Sequence, residues 1–544
     1  MRRTFPALVL LAALAAFGAN AKAQLYVGSN SSGQTTNFTS GSYTYSSATV
    51  GNNTNDSNNT LFVANTNTLL SVSDRLIIGN SGPLNSLVIS NGASVTSDTS
   101  LNDAYYAIVG SGSKSSNNSV LVTGAGSSWS DGYLIEIGSA GSGNSLTISN
   151  GGQVGMANAE GVEIGSSTHS SNNWALVTGA GSILNKLISV GSSGTNNSLT
   201  ISNGGLVLSS NSTISSSPNS SSNTVLVTGS GSTWSNSGIA TIASYGGATL
   251  TVANGGVVSA AGGILVASQS NSTGTLNIGS VGGSDTAGTI SSPTITFGSG
   301  NASINFNQSD SSSVTSSISG LGGIKQLGSG TTILAASNSY TGTTLISQGT
   351  FLADNTSGSA VGTSSVLVTN AGTLGGNGSI GGTLTIGSGG ELTPGLNGVG
   401  ELRLTSGVTL QTGSITSFLI NSTNNFTSLN ILGGTVSYGG TLRLNLLNYA
   451  SSASLGDTFA LFSDWANGAT HTQDFASVQA LGDSFNFSDN GGLWTGTDTH
   501  GTTYEFSDAT GNLIVLSVPE SSSSALLGLG ALAALLLLRK KQTS

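Results

Sequence analysis

Twenty-two acidic side chains and three histidines are the main acid–base groups of this 544-residue chain. The densest acids of its repetitive part are Asp131, Glu136, Glu160 and Glu163. Glycoside hydrolysis needs two carboxylates at a defined separation, and calcium-assisted lyase chemistry needs clustered acids with a base to take the proton. Glu136 and Glu163 fill the same slot of two related phrases, IEIGS (Ile135–Ser139) and VEIGS (Val162–Ser166), so stacking the phrases would bring them onto one face. A third phrase, ISVGS, has Ser189 in that slot, so the repeat does not require an acid there. Two solvated strand residues are the favoured reading of the pair.

The histidines are spread too widely for a ligand set. His169 lies in the turn-like SSTHSSNN, while His471 and His500 lie among acids such as Asp474 and Asp498; a metal site there is the weaker reading. No G-x-S-x-G elbow is present. Gly-rich runs without a following helix cannot cradle a phosphate or a dinucleotide, and the turns have Ser or Ala where calcium-binding repeats need Asp. No catalytic residue, metal ligand or cofactor is therefore assigned.

The charge balance excludes a second class. Net charge is −10, and six of the twelve Lys and Arg lie at the chain ends (Arg2, Arg3, Lys22, Arg539, Lys540, Lys541). The others, Arg75, Lys114, Lys186, Lys325, Arg403 and Arg443, are scattered. No basic patch forms to neutralise a run of phosphates, so nucleic acid is not an expected partner.

The N-terminus has the three parts of a secretory signal: Arg2 and Arg3, the apolar Ala7–Phe17, and the small-residue site Ala21-Lys22-Ala23. Residues 1–23 read as a signal peptide, with Gln24 as the mature start. An exported chain without cysteine gains nothing from disulfides, so its stability must come from elsewhere.

Repetition supplies it. NSLTISNGG occurs at Asn144–Gly152 and Asn197–Gly205, with variants NSLVISNGA (Asn85–Ala93) and ATLTVANGG (Ala248–Gly256). A second phrase alternates with it, as in SSNNSVLVTGAGSSWS (Ser115–Ser130) and SSNNWALVTGAGSILN (Ser170–Asn185). The unit is about 50–59 residues, in two halves of about 25, a period that indicates a solenoid, propeller or array. In SLTISN, Leu146 and Ile148 point one way and Thr147 and Ser149 the other. Two short strand signals per half, Gly-rich corners and no helical stripe predict a right-handed parallel β-helix with one rung per half, in preference to a propeller. Inward Leu, Ile and Val form a stripe, and outward Thr, Ser and Asn form ladders. Trp129 and Trp234 occupy matching positions and could stack on sugar rings; Leu184 in the intervening copy favours packing instead.

From about Gly320 the wording changes. GLGGIKQLGSGTTILAASNSYTGTTLISQGTFLA (Gly320–Ala353) resembles the autotransporter-associated β-strand repeat, with Lys325, Gly328, Gly330, Thr331, Asn338, Tyr340, Thr341, Gly342, Gly349 and Thr350 in the family's pattern. The resemblance implies a passenger-type parallel β-helix. Residues 24–319 thus read as the solenoid and 320–414 as its continuation. Thirteen of 31 aromatic residues fall between Phe418 and Phe506, so 415–516 reads as a β-rich unit with its own core, capping the open end.

The C-terminal segment, 517–544, carries Val518-Pro519-Glu520-Ser521, the apolar run Ala525–Leu538 and the basic Arg539, Lys540 and Lys541. It resembles the PEP-CTERM sorting signal of Gram-negative bacteria, with Ser521 where the family usually has a second proline. The resemblance implies an exosortase-type processing enzyme as partner, membrane insertion through a short C-terminal transmembrane helix before processing, and delivery to the cell surface or an exopolysaccharide matrix. Asn-x-Ser/Thr sequons such as those at Asn37, Asn53, Asn59 and Asn211 accompany the composition. Two functions remain: a non-enzymatic surface protein with a structural or adhesive role toward extracellular polysaccharide, and an exported polysaccharide lyase or glycoside hydrolase on the same scaffold.

Overall fold

The computed structural model describes residues 23–97, 106–155, 161–395, 399–463, 470–481 and 485–519. Within them the chain is all-β apart from the single 3-10 turn Ala450–Ser452. It winds as a parallel solenoid of the right-handed type. Each half-repeat makes one rung of three strands rather than two. Leu134–Ile137, Ser145–Ser149 and Gln153–Gly155 form one such rung, and the third strand is too short to announce itself by alternation. The rungs stack into three faces. The first is a ladder of twelve strands from Leu25–Val27 to Ser317–Gly320, and the third has ten, from Gly41–Tyr45 to Thr289–Ser291.

Repeated phrases stack residue for residue. Ser145–Ser149 pairs in parallel with Ser119–Thr123 before it and Trp174–Thr178 after it. Val120, Leu146, Ala175, Leu199, Val225 and Leu250 therefore form one inward column, every member essentially inaccessible. Burying each large aliphatic side chain contributes roughly 1.5–3 kcal/mol. Rungs about 4.8 Å apart leave each strand hydrogen-bonded on both sides, which gives the cysteine-free chain its cohesion.

The asparagines just ahead of the repeated strands were expected on the outer surface; the structure turns them inward. Asn59, Asn85, Asn118, Asn144, Asn173, Asn197 and Asn223 are fully buried in one column. From Asn59 to Asn197 each donates its backbone N–H and its side-chain Nδ2 to the Oδ1 of the next, as Asn144 does to Asn173 at 2.8 and 3.1 Å. Asn223 ends the relay, its Nδ2 donating to the Gly194 carbonyl and to Ser215 and Ser220. A polar column is stable in the core because every rung supplies the partner the previous one needs. The glycine of the short phrase makes room for it. Gly138 has φ +77°, and a Cβ there would lie 2.3 Å from the Asn173 amide.

The next corner is made by Asn150 and Gly151, with φ of 51° and 86°. Ser182 on the following rung accepts the Gly151 N–H at 3.1 Å and donates to the Thr178 carbonyl at 2.8 Å, locking one corner to the next.

Longer strands follow: Thr344–Ala353 pairs with both Gly323–Gln326 and Thr331–Leu334 behind it and with Val366–Gly376 ahead. The parallel ladder runs past residue 414 as far as Ser477–Leu481. A five-stranded antiparallel sheet, in the order Thr458–Ala460, Asn512–Ser517, Thr503–Ser507, Leu493–Thr497, Ser488–Asp489, closes this end. The aromatic-rich stretch is thus part solenoid and part cap. Phe462 and Phe475 of the solenoid side meet Phe506 of the cap at centroid distances of 6.2 and 6.0 Å.

Among the described residues no helix is long and apolar enough to cross a membrane. The expected C-terminal transmembrane helix lies outside the described residues.

Candidate functional site

Glu136 and Glu163 are register partners on the first face, with Ser189 next in the column. Stacking does bring the two carboxylates together. Burial raises the Glu163 carboxyl above its usual range; a Ser166 hydroxyl pulls it down, the Glu136 charge pushes it up, and Ser192 pulls it down again. Glu160 lies outside the described residues.

Asp131 is not available for chemistry on the surface. It is fully buried on the third face, where its carboxylate accepts from the Ser97 hydroxyl at 2.6 Å and from the Tyr133 N–H at 3.1 Å. Lys186, two rungs on, places Nζ 3.9 Å from this carboxylate and donates to the Asp131 and Tyr133 carbonyls at 3.1 and 2.9 Å. Removing either partner of such a buried pair leaves the other charge uncompensated in the core. Its two members are 55 residues apart, and no local signal in the sequence joins them.

The tryptophan columns separate packing from contact. Trp129 and Trp234 are both 1% exposed, in a column with Val154, Leu184 and Val207, so they pack the interior and do not meet sugar. Trp129 Nε1 donates to Ser97 at 3.1 Å. Trp174, which drew no attention as a sequence feature, stands 39% exposed on the second face between Ser145 and Ser198.

His169, His471 and His500 are exposed and far apart in the fold's order, and no group of metal-holding side chains occurs among the described residues. At the termini, Ala23 is exposed and its carbonyl accepts the Ser46 N–H at 2.9 Å. Val518 packs against the core, and Pro519 lies exposed beside Gly501. Ala21, Glu520, Arg539, Lys540 and Lys541 lie outside the described residues.

The outer surface is a set of hydroxyl and amide rows repeated from rung to rung. Thr123 accepts from Ser149 at 2.9 Å and from Asn150 at 3.2 Å; Thr178 accepts from Ser202 and Asn203 at 3.0 and 3.2 Å. One contact geometry is therefore offered many times along the rod.

The residues of the 320–353 phrase serve architecture. Asn338 accepts the Ile318 N–H at 2.7 Å and donates to the Ala360 carbonyl at 2.6 Å. Tyr340 is fully buried, its hydroxyl 2.6 Å from that of Thr344 and its ring edge-on to Phe297. Residues 325–353 match the passenger-associated-transport-repeat family. The chain carries an autotransporter passenger repeat. Over a stretch of 114 residues the chain is 42% identical to the adhesin BmaC autotransporter of Brucella suis biovar 1 (strain 1330). That match covers 21% of this chain and 3% of the relative, so the chain shares only a small piece of a much longer protein. A crystal structure of a hyper-glycosylated TibA fragment, modified by TibC, aligns over 84% of this chain and 97% of its own at 14% identity and a TM-score of 0.21; a likeness at that level carries no argument. The passenger repeat and its neighbours form one continuous ladder with the upstream solenoid.

Proposed function

We propose that this protein is an exported, non-enzymatic surface adhesin, a rigid polar-faced rod that attaches to extracellular polysaccharide through many weak contacts. The observation that carries the reading is the use of the repeated residues. Inward Asn, corner Gly and locking Ser are all spent on stacking, while the outer rows recur on every second rung. Recurrence of one weak site on a rigid scaffold gives avidity without a single tight site. The passenger repeat and the resemblance of a segment to an autotransporter adhesin support the same class.

Export rests on the signal-like residues ending at Ala21 and Ala23. Surface delivery rests on the resemblance of Val518, Pro519, Glu520, Arg539, Lys540 and Lys541 to a PEP-CTERM signal, with membrane attachment through the C-terminal segment before an exosortase-type enzyme cuts it. The enzyme alternative has one observation in its favour, the adjacent Glu136 and Glu163 with a raised Glu163 carboxyl.

Fractionation and terminal mass spectrometry of the protein from its native cell, with attachment of cells lacking the gene, test the reading. It expects surface protein starting at Gln24, ending near Glu520, and poorer attachment of the deletion strain. An intracellular protein, or undiminished attachment, contradicts the adhesin reading. An intact Arg539–Ser544 tail refutes the processing step.

A further inference from the structure

Toward its C-terminal end the second face carries a groove of about 400 Å3, within the size range of small-ligand sites, about 300–1,000 Å3. Its floor is crossed by three parallel neighbours, Glu391–Pro394, Ile415–Ser422 and Thr441–Asn445. Glu391 lies on the first of these strands and Arg443 on the third, two residues out of register with it, so their backbones are about 12 Å apart. Ser417 on the middle strand is the register partner of Arg443 and donates its hydroxyl to Glu391 Oε1 at 2.6 Å. This bond holds the carboxylate on its own side of the groove.

Arg443 has its Nε buried with no hydrogen-bond partner. Arg443 also lines the groove, where a carboxylate can take charge-assisted N–H···O bonds from the part of the guanidinium that faces it. The walls are mixed. Leu352, Leu419 and the 41%-exposed Leu481 give apolar surface beside the polar floor. A cation at one side, an acceptor at the other and aliphatic walls between suit a ring with a carboxylate on one edge, hydroxyls on the opposite edge and C–H faces.

We propose that this groove binds an acidic saccharide, a uronate-bearing glycan, with Arg443 taking the carboxylate and Glu391 accepting ring hydroxyls. The proposal rests on the polysaccharide-adhesin reading and gives it a ligand class. It is tested on the full mature chain by calorimetric titration with tri-galacturonate and with neutral galactotriose. The expected results are binding of the acidic trimer that weakens with salt, about tenfold weaker binding in Arg443→Met, partial recovery in Arg443→Lys, and an unchanged thermal transition. Glu391→Ala, which removes the acceptor of the ring hydroxyls, is expected to bind the acidic trimer several-fold more weakly than the parent, and an unaltered affinity in it overturns the proposal. It carries the test independently if Arg443→Met does not fold. Equal binding of the two trimers, binding of neither, or an unaltered affinity in folded Arg443→Met overturns the proposal. Retained attachment of the chain to polysaccharide-coated surfaces in those cases leaves the adhesin reading standing; loss of all attachment removes both.

Discussion

Asn173 accepts from both donors of Asn144 and gives both of its own to Asn197, at 2.9 and 3.1 Å. Asn173→Ala therefore strands both donors of Asn144 and leaves Asn197 Oδ1 with only the backbone N–H of residue 173, and we expect a loss of about 2–4 kcal/mol in denaturant unfolding. Gly138→Ala attacks the same column from the other side, through a positive φ and a Cβ 2.3 Å from the Asn173 amide; a comparable loss is expected, with little further loss when both changes are combined. Asp508 in the cap supplies a pH-dependent term. Burial raises its carboxyl to about 7; the Trp494 N–H, 3.0 Å away, works against this, and the charges of Asp474 and Asp489 add to it. The folded state prefers the neutral acid, so this group's contribution is complete below the ordinary value of 3.8, falls as pH rises, and is gone above about 7. Asp508→Asn is expected to gain on the order of 1–3 kcal/mol over the parent at pH 8 and almost nothing at pH 4, read by thermal unfolding at the two pH values.

At the scale of the rung, the repeated phrase is an interchangeable part. Removing residues 197–222 brings Asn223 to the place of Asn197 and takes out the three strands Ser198–Ser202, Leu206–Ser209 and Ser212–Ile214 together. The shortened chain is expected to remain folded, with a denaturant slope reduced in proportion to the surface lost; an unfolded product contradicts the rung register. Two tryptophans on neighbouring faces separate support from contact. Trp129→Ala is expected to cost about 3–5 kcal/mol, whereas Trp174→Ala, on the exposed face, should stay within about 0.5 kcal/mol and weaken attachment to polysaccharide. What the sequence made legible follows from locality. Leu146 and Ile148 alternate with Thr147 and Ser149 inside five residues, so the strand, its inner face and the stacking of copies could be read directly. The inward Asn column could not be read that way, because a polar side chain enters the core only when the next rung, 24–33 residues away, supplies its partner. Recurrence of Asn just ahead of the strand in successive copies, up to Asn223 and ending at Ala248, against free variation at Thr147 or Val88, was the available signal. Lys186 with Asp131 and Arg443 with Ser417 are likewise products of winding, invisible to any local pattern. The adjacency of Glu136 and Glu163 was readable, since it needed only equal slots in successive phrases.

At the scale of the whole molecule, the described residues form one ladder around a hydrophobic core running from Val27 to Val515, closed at one end by an antiparallel cap. Its N-terminal end is filled by Phe38 against Tyr43 and Tyr45, at ring distances of 4.1 and 6.2 Å. A rod of this kind offers the same outer rows at regular spacing, and its affinity for a polymer should grow with the number of rungs rather than depend on any one of them. The direct measurement is attachment of purified protein to polysaccharide from the native cell surface, for the parent and for chains lacking one and two half-repeats, with reducing ends followed in the same samples. The account predicts stepwise weaker attachment as rungs are removed and no release of reducing ends. Release of reducing ends that disappears in Glu163→Gln would contradict it and make the chain an enzyme.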